Sequence, residues 1–369
     1  MNGPAVFIKV WCYDVIRSTY GLSLSVSQLD VLWALIVAIF LVGGMCGSLL
    51  AAWCCNKFGR KSTLLLSKFL LMTSGCLLFL CRYSGLVSLL LLGRFMGGVA
   101  AALITTAHPM YLLELSPADR KGSVGVYTAL GVAIGICVSQ VIGLKQLFGN
   151  AELWHYALSF YMIFVLVSLP SYRWFAESPE WLLKHKPQDC LAARKALKDL
   201  HGSQSISVIY EEKPQLAASE PTDSKELSLL AVLRNRKFLL PLVLVLTLQA
   251  CQQLCGINVN LYNWLPILCI VLVALFIISF QLGLSPIPYF IGSELFEDSA
   301  RPVAMSLGSF ASWSCNFMIA MFFPLLENAW GSFAFLPCCA VCIYSLILSW
   351  RYLPETRPSN NENMLTLKP

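Results

Sequence analysis

Gln249, Gln252, Gln253, Gly256 and Asn260 recur at helical spacing inside a stretch, 238–264, that is otherwise apolar. At 100° per residue these five share one narrow face, and Asn258 falls opposite unless the helix loosens at Gly256. An amide side chain has donors and an acceptor, and leaving one unsatisfied in an apolar medium costs about 2 to 7 kcal/mol. Such groups therefore face partner helices, a water-filled cavity or a bound polar solute. Interhelical hydrogen bonding explains any single amide as well as a ligand does. A clustered stripe beside a glycine favours a solute, because helices broken at membrane depth recur at solute sites.

Charged and turn residues form a second set. The run Asn56-Lys57-Phe58-Gly59-Arg60-Lys61 joins two apolar stretches through one glycine and paired cations. Taken alone it is a basic connection that fixes topology, and its glycine spacing excludes a phosphate-binding loop. Arg94, after Gly93, lies within an apolar run and is expected to need a counter-charge. Glu114 stands before Ser116-Pro117 and the pair Arg120-Lys121. Glu177 and Glu355 each follow the last span of a group of spans, where a carboxylate accepts from backbone N–H groups and pairs with arginines.

The elements that position these residues follow from composition. With 57% hydrophobic and 12% charged residues the chain is not an ordinary soluble domain, where charged residues run near 25%. Apolar runs of about 18 residues or more give nine spans: 31–55, 62–81, 86–115, 123–144, 153–169, 238–264, 266–283, 303–326 and 330–353. The net charge of +6 concentrates at span ends, around Arg60 and Lys61, around Arg120 and Lys121, and in 172–237. Basic residues favour the cytoplasmic side, so these segments are expected inside, with membrane lipid rather than nucleic acid as the neighbour. The 15 cysteines lack metal or disulfide spacing and read as small buried hydrophobes. Four scattered histidines, no nucleophile elbow and no clustered ligands argue against an enzyme and against any cofactor or metal.

Five regions result: an extracellular segment 1–30, a membrane bundle 31–171, a cytoplasmic helical insert and linker 172–237, a second bundle 238–353 and a cytoplasmic tail 354–369. Two bundles joined by a long inside loop suggest a pseudo-symmetric carrier with its solute between them. Two six-helix halves need twelve spans, so about three are missing; removing two from the second half preserves the sidedness of all that follows.

Taken in order, these motifs resemble the facilitative glucose transporter branch of the sugar porter family, in the major facilitator superfamily. The resemblance rests also on Gln252-Gln253-Leu254-Cys255-Gly256-Ile257-Asn258, on Pro286-Ile287-Pro288 with Glu294-Leu295-Phe296, and on Arg301-Pro302 followed by Trp313 and Asn316. It implies an all-α integral membrane protein with the two-bundle major facilitator fold, incomplete at about nine of twelve transmembrane helices. By resemblance Gln140, Gln252, Gln253 and Asn258 hydrogen-bond hexose hydroxyls, Trp313 supplies the apolar ring face and Asn316 stands nearby. Gly59, Arg60, Lys61, Arg94, Glu114, Lys121, Glu177, Pro286, Pro288, Glu294, Arg301 and Glu355 are gating or structural. Gly131 and Gly135 form the close-contact stripe expected on their helix, leaving Gln140 free to face a cavity.

The resemblance also locates the gaps. Nearly all of the family's first helix is missing before Met1, and a second gap falls after Asn263, across the eighth helix and most of the ninth. Lost inner helices are expected to leave the Gln253 stripe facing lipid, and Glu355 lacks its family cation. Glu180 stands where the family has arginine, Cys255 where it has serine and Ser312 where it has asparagine. Facilitative hexose transport, glucose above all, at the plasma membrane is the leading expectation. A proton-coupled sugar symporter is one alternative. The other is a non-transporting truncated isoform that acts as regulator or sugar sensor, in association with a full-length transporter.

Overall fold

A computed structural model of the protein describes residues 4–116, 121–185, 229–254, 287, 291–292, 295–296 and 299–353. Among the described residues all regular elements are helical, and seven helical stretches, Trp154–Trp174 taken as one, are long and apolar enough to cross a membrane. Helix α1 (Ala5–Tyr20) precedes α2 (Val26–Phe58). A reciprocal cap fixes the start of α2: Gln28 N–H donates to the Ser25 hydroxyl, and Ser25 N–H to the Gln28 side-chain oxygen. Its 33 residues, at about 1.5 Å each, exceed the roughly 30 Å hydrocarbon layer. Gly59 then turns the chain into α3 (Arg60–Ser84), followed by α4 (Val87–Leu115) and α5 (Lys121–Ile142).

The span expected at 153–169 is broken into α6 (Trp154–Ser159) and α7 (Tyr161–Ser168), then a 3₁₀ turn at Pro170–Trp174. The Ser159 hydroxyl donates back to the His155 carbonyl, a local bond that bends helices. Helical periodicity expected over 179–201 is realised as α8 (Pro179–His185), and the rest lies outside the described residues. Helices α9 (Leu229–Arg234), α10 (Arg236–Leu254), α11 (Arg301–Trp330) and α12 (Leu336–Tyr352) make a second group. Seven of the nine expected spans fall on helical stretches, that at 153–169 in two pieces; 238–264 is described as helix only to Leu254, and 266–283 lies outside the described residues.

Packing runs in one sequence across the molecule: α3 on α4, α4 on α2, α2 on α11, α11 on α10 and α10 on α12. The two groups thus meet along α2 and α11. Ile8, Cys12, Ile36, Leu78, Leu90 and Trp154 form a core at one end of the first group. Val232, Leu242, Val245, Leu248, Phe296 and Val303 form the core of the second. Leu49, Phe69, Phe164, Val167, Ile343 and Leu346 stay exposed, an apolar exterior suited to lipid.

In lipid, helices associate through close packing, and small residues let backbones approach. A Cβ on Gly98 of α4 would fall 2.0 Å from the Phe40 carbonyl oxygen of α2. Helix α5 does not follow this pattern. It leans on α4 through buried Thr128 and Ala129, with the Thr128 hydroxyl 3.4 Å from His108 Nδ1. Gly131 and Gly135 meet nothing within 4 Å, so the expected close-contact stripe has no neighbour among the described residues.

Gly98→Val forces α4 away from α2, and overpacking of this kind costs about 1 to 3 kcal/mol or more. Fluorescence-detected size exclusion after heating should show a lower melting temperature for Gly98→Val, with Gly131→Val near wild type. Equal melting of the two variants would contradict the packing described.

Candidate functional site

The junction of the two groups is polar where it is deepest. Ser48 of α2 donates to the Gly44 carbonyl at 2.8 Å, and its Oγ lies 3.1 Å from Ser309 Oγ of α11. Ser306 of α11 donates to the Ser48 carbonyl, and Thr105 of α4 lies 3.5 Å from Ser309. One turn beyond Ser309, Trp313 lies against α2, and a Cβ on Gly44 would come within 2.4 Å of its ring. Its ring meets Phe40 edge-on at 5.6 Å and 71°. Phe40 in turn carries the Arg94 guanidinium 4.5 Å over its ring.

The amide stripe of α10 faces the same helix. Gln249 and Gln252 are buried and Gln253 half-buried, so α11 covers the face expected to meet lipid. Gln249 Cγ would lie 3.3 Å from a Cβ on Gly308. Gln253 Nε2 donates to Ser312 Oγ at 2.9 Å, next to Trp313. Asn316 is half-buried on α11, three residues beyond Trp313.

A second polar centre lies at the Gly59 end. Glu114 closes α4 with its side chain 1% exposed, and accepts from Arg60 Nε and Nη2 at 3.2 and 3.0 Å. The Ser178 hydroxyl donates to its other oxygen. Arg301, the first residue of α11, lies 3.8 Å from Glu114 and 2.9 Å from Glu180 of α8. Carboxylates of the first group thereby hold a cation of the second. Glu177 accepts from Lys61 N–H at 2.9 Å, capping α3, and its Oε2 would lie 2.6 Å from any Cβ on Gly59. With φ at +88° as well, that position takes glycine for two independent reasons. Trp181 Nε1 donates to the Asn56 carbonyl at 2.8 Å, completing the clasp on the turn.

A family model described as "Sugar (and other) transporter" matches residues 1–263 and 262–366. The chain belongs to that family. Among similar proteins, facilitated glucose transporter member 3 of Canis lupus familiaris is 29% identical, covering 97% of this chain and 86% of its own. Facilitated glucose transporter member 14 of Homo sapiens is 28% identical, with 99% and 83% covered. Among solved structures, the proton:xylose symporter XylE superposes with a TM-score of 0.75 at 20% identity, covering 96% of this chain and 93% of XylE. The fold is therefore that of the major facilitator superfamily, in a multi-pass membrane protein. The alignment to the canine relative runs over 427 positions, more than the chain's 369 residues, so that relative has internal residues this chain lacks. The two matched segments of the family model meet at Asn263, where the sequence reading puts the gap.

The structure brings together Gln252, Gln253, Trp313 and Asn316 on the facing helices α10 and α11, and Gly59, Arg60, Lys61, Glu114, Glu177 and Arg301 at the other centre. Gln140 is exposed on α5, and its side chain makes no hydrogen bond among the described residues. Arg94 finds no carboxylate among them: it donates to the Ile36 carbonyl at 3.4 Å and stacks on Phe40, a carbonyl and a ring face serving a cation in place of an anion. Glu177 pairs with backbone N–H groups of Lys61 and Ser178, and with no arginine among the described residues. Lys121 begins α5; Asn258, Pro286, Pro288, Glu294 and Glu355 lie outside the described residues. Sequence reasoning missed Phe40, Ser48, Ser306 and Ser309. The run Gly43-Gly44 with Gly47-Ser48, small residues on one helix face, was the signal for that contact.

Removing one partner from a buried ion pair leaves an uncompensated charge and costs about 3 to 5 kcal/mol. Glu114→Gln should therefore sharply lower thermal stability in detergent. Glu180→Gln should cost less, because its side chain is 17% exposed and Arg301 keeps Glu114. A larger loss at Glu180 would contradict this ranking.

Proposed function

We propose that the protein passes a hexose, glucose or a close relative, down its gradient across the plasma membrane, with the sugar held between the bundles against α10 and α11. The observation that carries this reading is the Gln253–Ser312 hydrogen bond beside Trp313. A sugar hydroxyl donates and accepts as a serine hydroxyl does, so it can take Ser312's place on the amide, while the freed Ser312 hydroxyl pairs with the sugar in turn. The exchange is nearly neutral for one bond, and the C–H face of the ring adds contact on the indole. Gln252, Asn258, Asn316 and Gln140 complete the hydroxyl-binding set in this reading, and Pro286 and Pro288 supply hinges. The basic turn at Gly59, with Arg301, Glu180 and Glu114, closes the cytoplasmic side between the bundles.

The relatives support it by their descriptions as facilitated glucose transporters, and XylE was solved bound to 6-bromo-6-deoxy-D-glucose. A second reading, a non-transporting partner of a complete carrier, is favoured by the internal break at Asn263 and by the glycine face of α5, which nothing covers among the described residues.

Hexose counterflow in proteoliposomes separates them. Facilitated transport predicts counterflow, and uptake of labelled hexose insensitive to a protonophore. Gln253→Ala should raise the half-saturating hexose concentration about tenfold, equivalent to about 1.4 kcal/mol and one hydrogen bond. Uptake of labelled hexose that collapses with a protonophore would assign a symporter. Transport only after the missing helices are restored would assign the regulator.

A further inference from the structure

Two thiols meet on the side of α10 away from the amides. Cys251 Sγ lies 4.0 Å from Cys342 Sγ of α12. Cys251 is buried, Cys342 is half-buried, and Cys338 stands one turn before Cys342 on the same face. At 100° per residue Cys251 points about 160° from both Gln249 and Gln253, so it backs the candidate sugar site without entering it.

We propose that Cys251 and Cys342 are a reversible disulfide site that couples the oxidation state to the position of α10. A disulfide brings the sulfurs to about 2.05 Å, an approach of the kind side-chain rotation supplies to thiols already in contact. The thiolate, not the thiol, attacks, and burial in apolar surroundings suppresses it. The less buried Cys342 therefore reacts first with a small apolar disulfide R–S–S–R, forming a Cys342 mixed disulfide and releasing one R–SH. Cys251 then attacks the Cys342 sulfur, gives up its proton and displaces the second R–SH. In total two protein thiols are oxidised, one external disulfide is reduced to two thiols, and one S–S bond joins α10 to α12.

The consequence rests on the transport reading. Alternating access requires rocking or gating around the solute site, and gating within the second group changes how α10 sits against its neighbours. Fixing α10 to α12 directly behind Gln249 and Gln253 holds one arrangement and stops the cycle.

The test uses the full chain in proteoliposomes treated with dipyridyl disulfide, then alkylated, digested and analysed by mass spectrometry. The expected result is a linked Cys251–Cys342 peptide that dithiothreitol reverses, absent from Cys251→Ser and Cys342→Ser. Hexose counterflow should fall in proportion to the linked fraction, recover on reduction and resist the oxidant in both serine variants. Recovery of Cys251 as an alkylated thiol, or linked to another cysteine, would overturn the site. Full linkage with unchanged counterflow would overturn the coupling. A chain without counterflow defeats the transport reading alone, since the linked peptide still decides the disulfide.

Discussion

A carboxylate inside a membrane protein stays charged only if cations and hydroxyls surround it, and Glu114 is the group on which the architecture turns. Arg60 from the start of α3, Ser178 from the segment before α8 and Arg301 from the start of α11 converge on its two oxygens. Each partner comes from a different element, so one buried anion ties the end of α4 to both bundles. Glu177 does the adjacent work, filling the space above Gly59 and capping α3. Where this end of the molecule is closed, it is closed by charge.

The middle of the molecule is closed by small groups instead. Gly44 and Ser48 of α2 accept Trp313, Ser306 and Ser309 of α11 at distances a larger residue would forbid. Hydroxyl-to-hydroxyl contacts in such a junction are individually weak, each about 0.5 to 1.5 kcal/mol net, and easily exchanged. That is the property a moving interface needs: tight enough to exclude lipid, cheap enough to part. The amides of α10 lie one helix beyond α11, and in the proposed function a solute hydroxyl replaces the bond that Ser312 makes to Gln253.

Much of this was legible in the sequence because lipid imposes long apolar runs and turns every polar interruption into a signal. The helices, the basic turn at Gly59 and the amide stripe are such signals. The partners of single groups were not. Arg94 lies in an apolar helix, which predicts a compensating neighbour but not its kind, and the neighbour is Phe40 with a carbonyl. Gly131 and Gly135 mark a face fit for close packing, yet packing needs a second helix, and none meets them among the described residues. The lipid exposure expected for Gln253 failed for the converse reason: α11 packs against Gln249 and Gln253, a tertiary contact no periodicity encodes.

The central claim is that the junction of α10 and α11 beside Trp313 is a hexose site. Equilibrium binding of radiolabelled D-glucose to the purified chain tests it most directly, independent of whether transport is completed. The account predicts saturable binding, displaced by unlabelled D-glucose but not by L-glucose, and weakened by Trp313→Ala. Binding that does not saturate, or that L-glucose displaces equally, would contradict it.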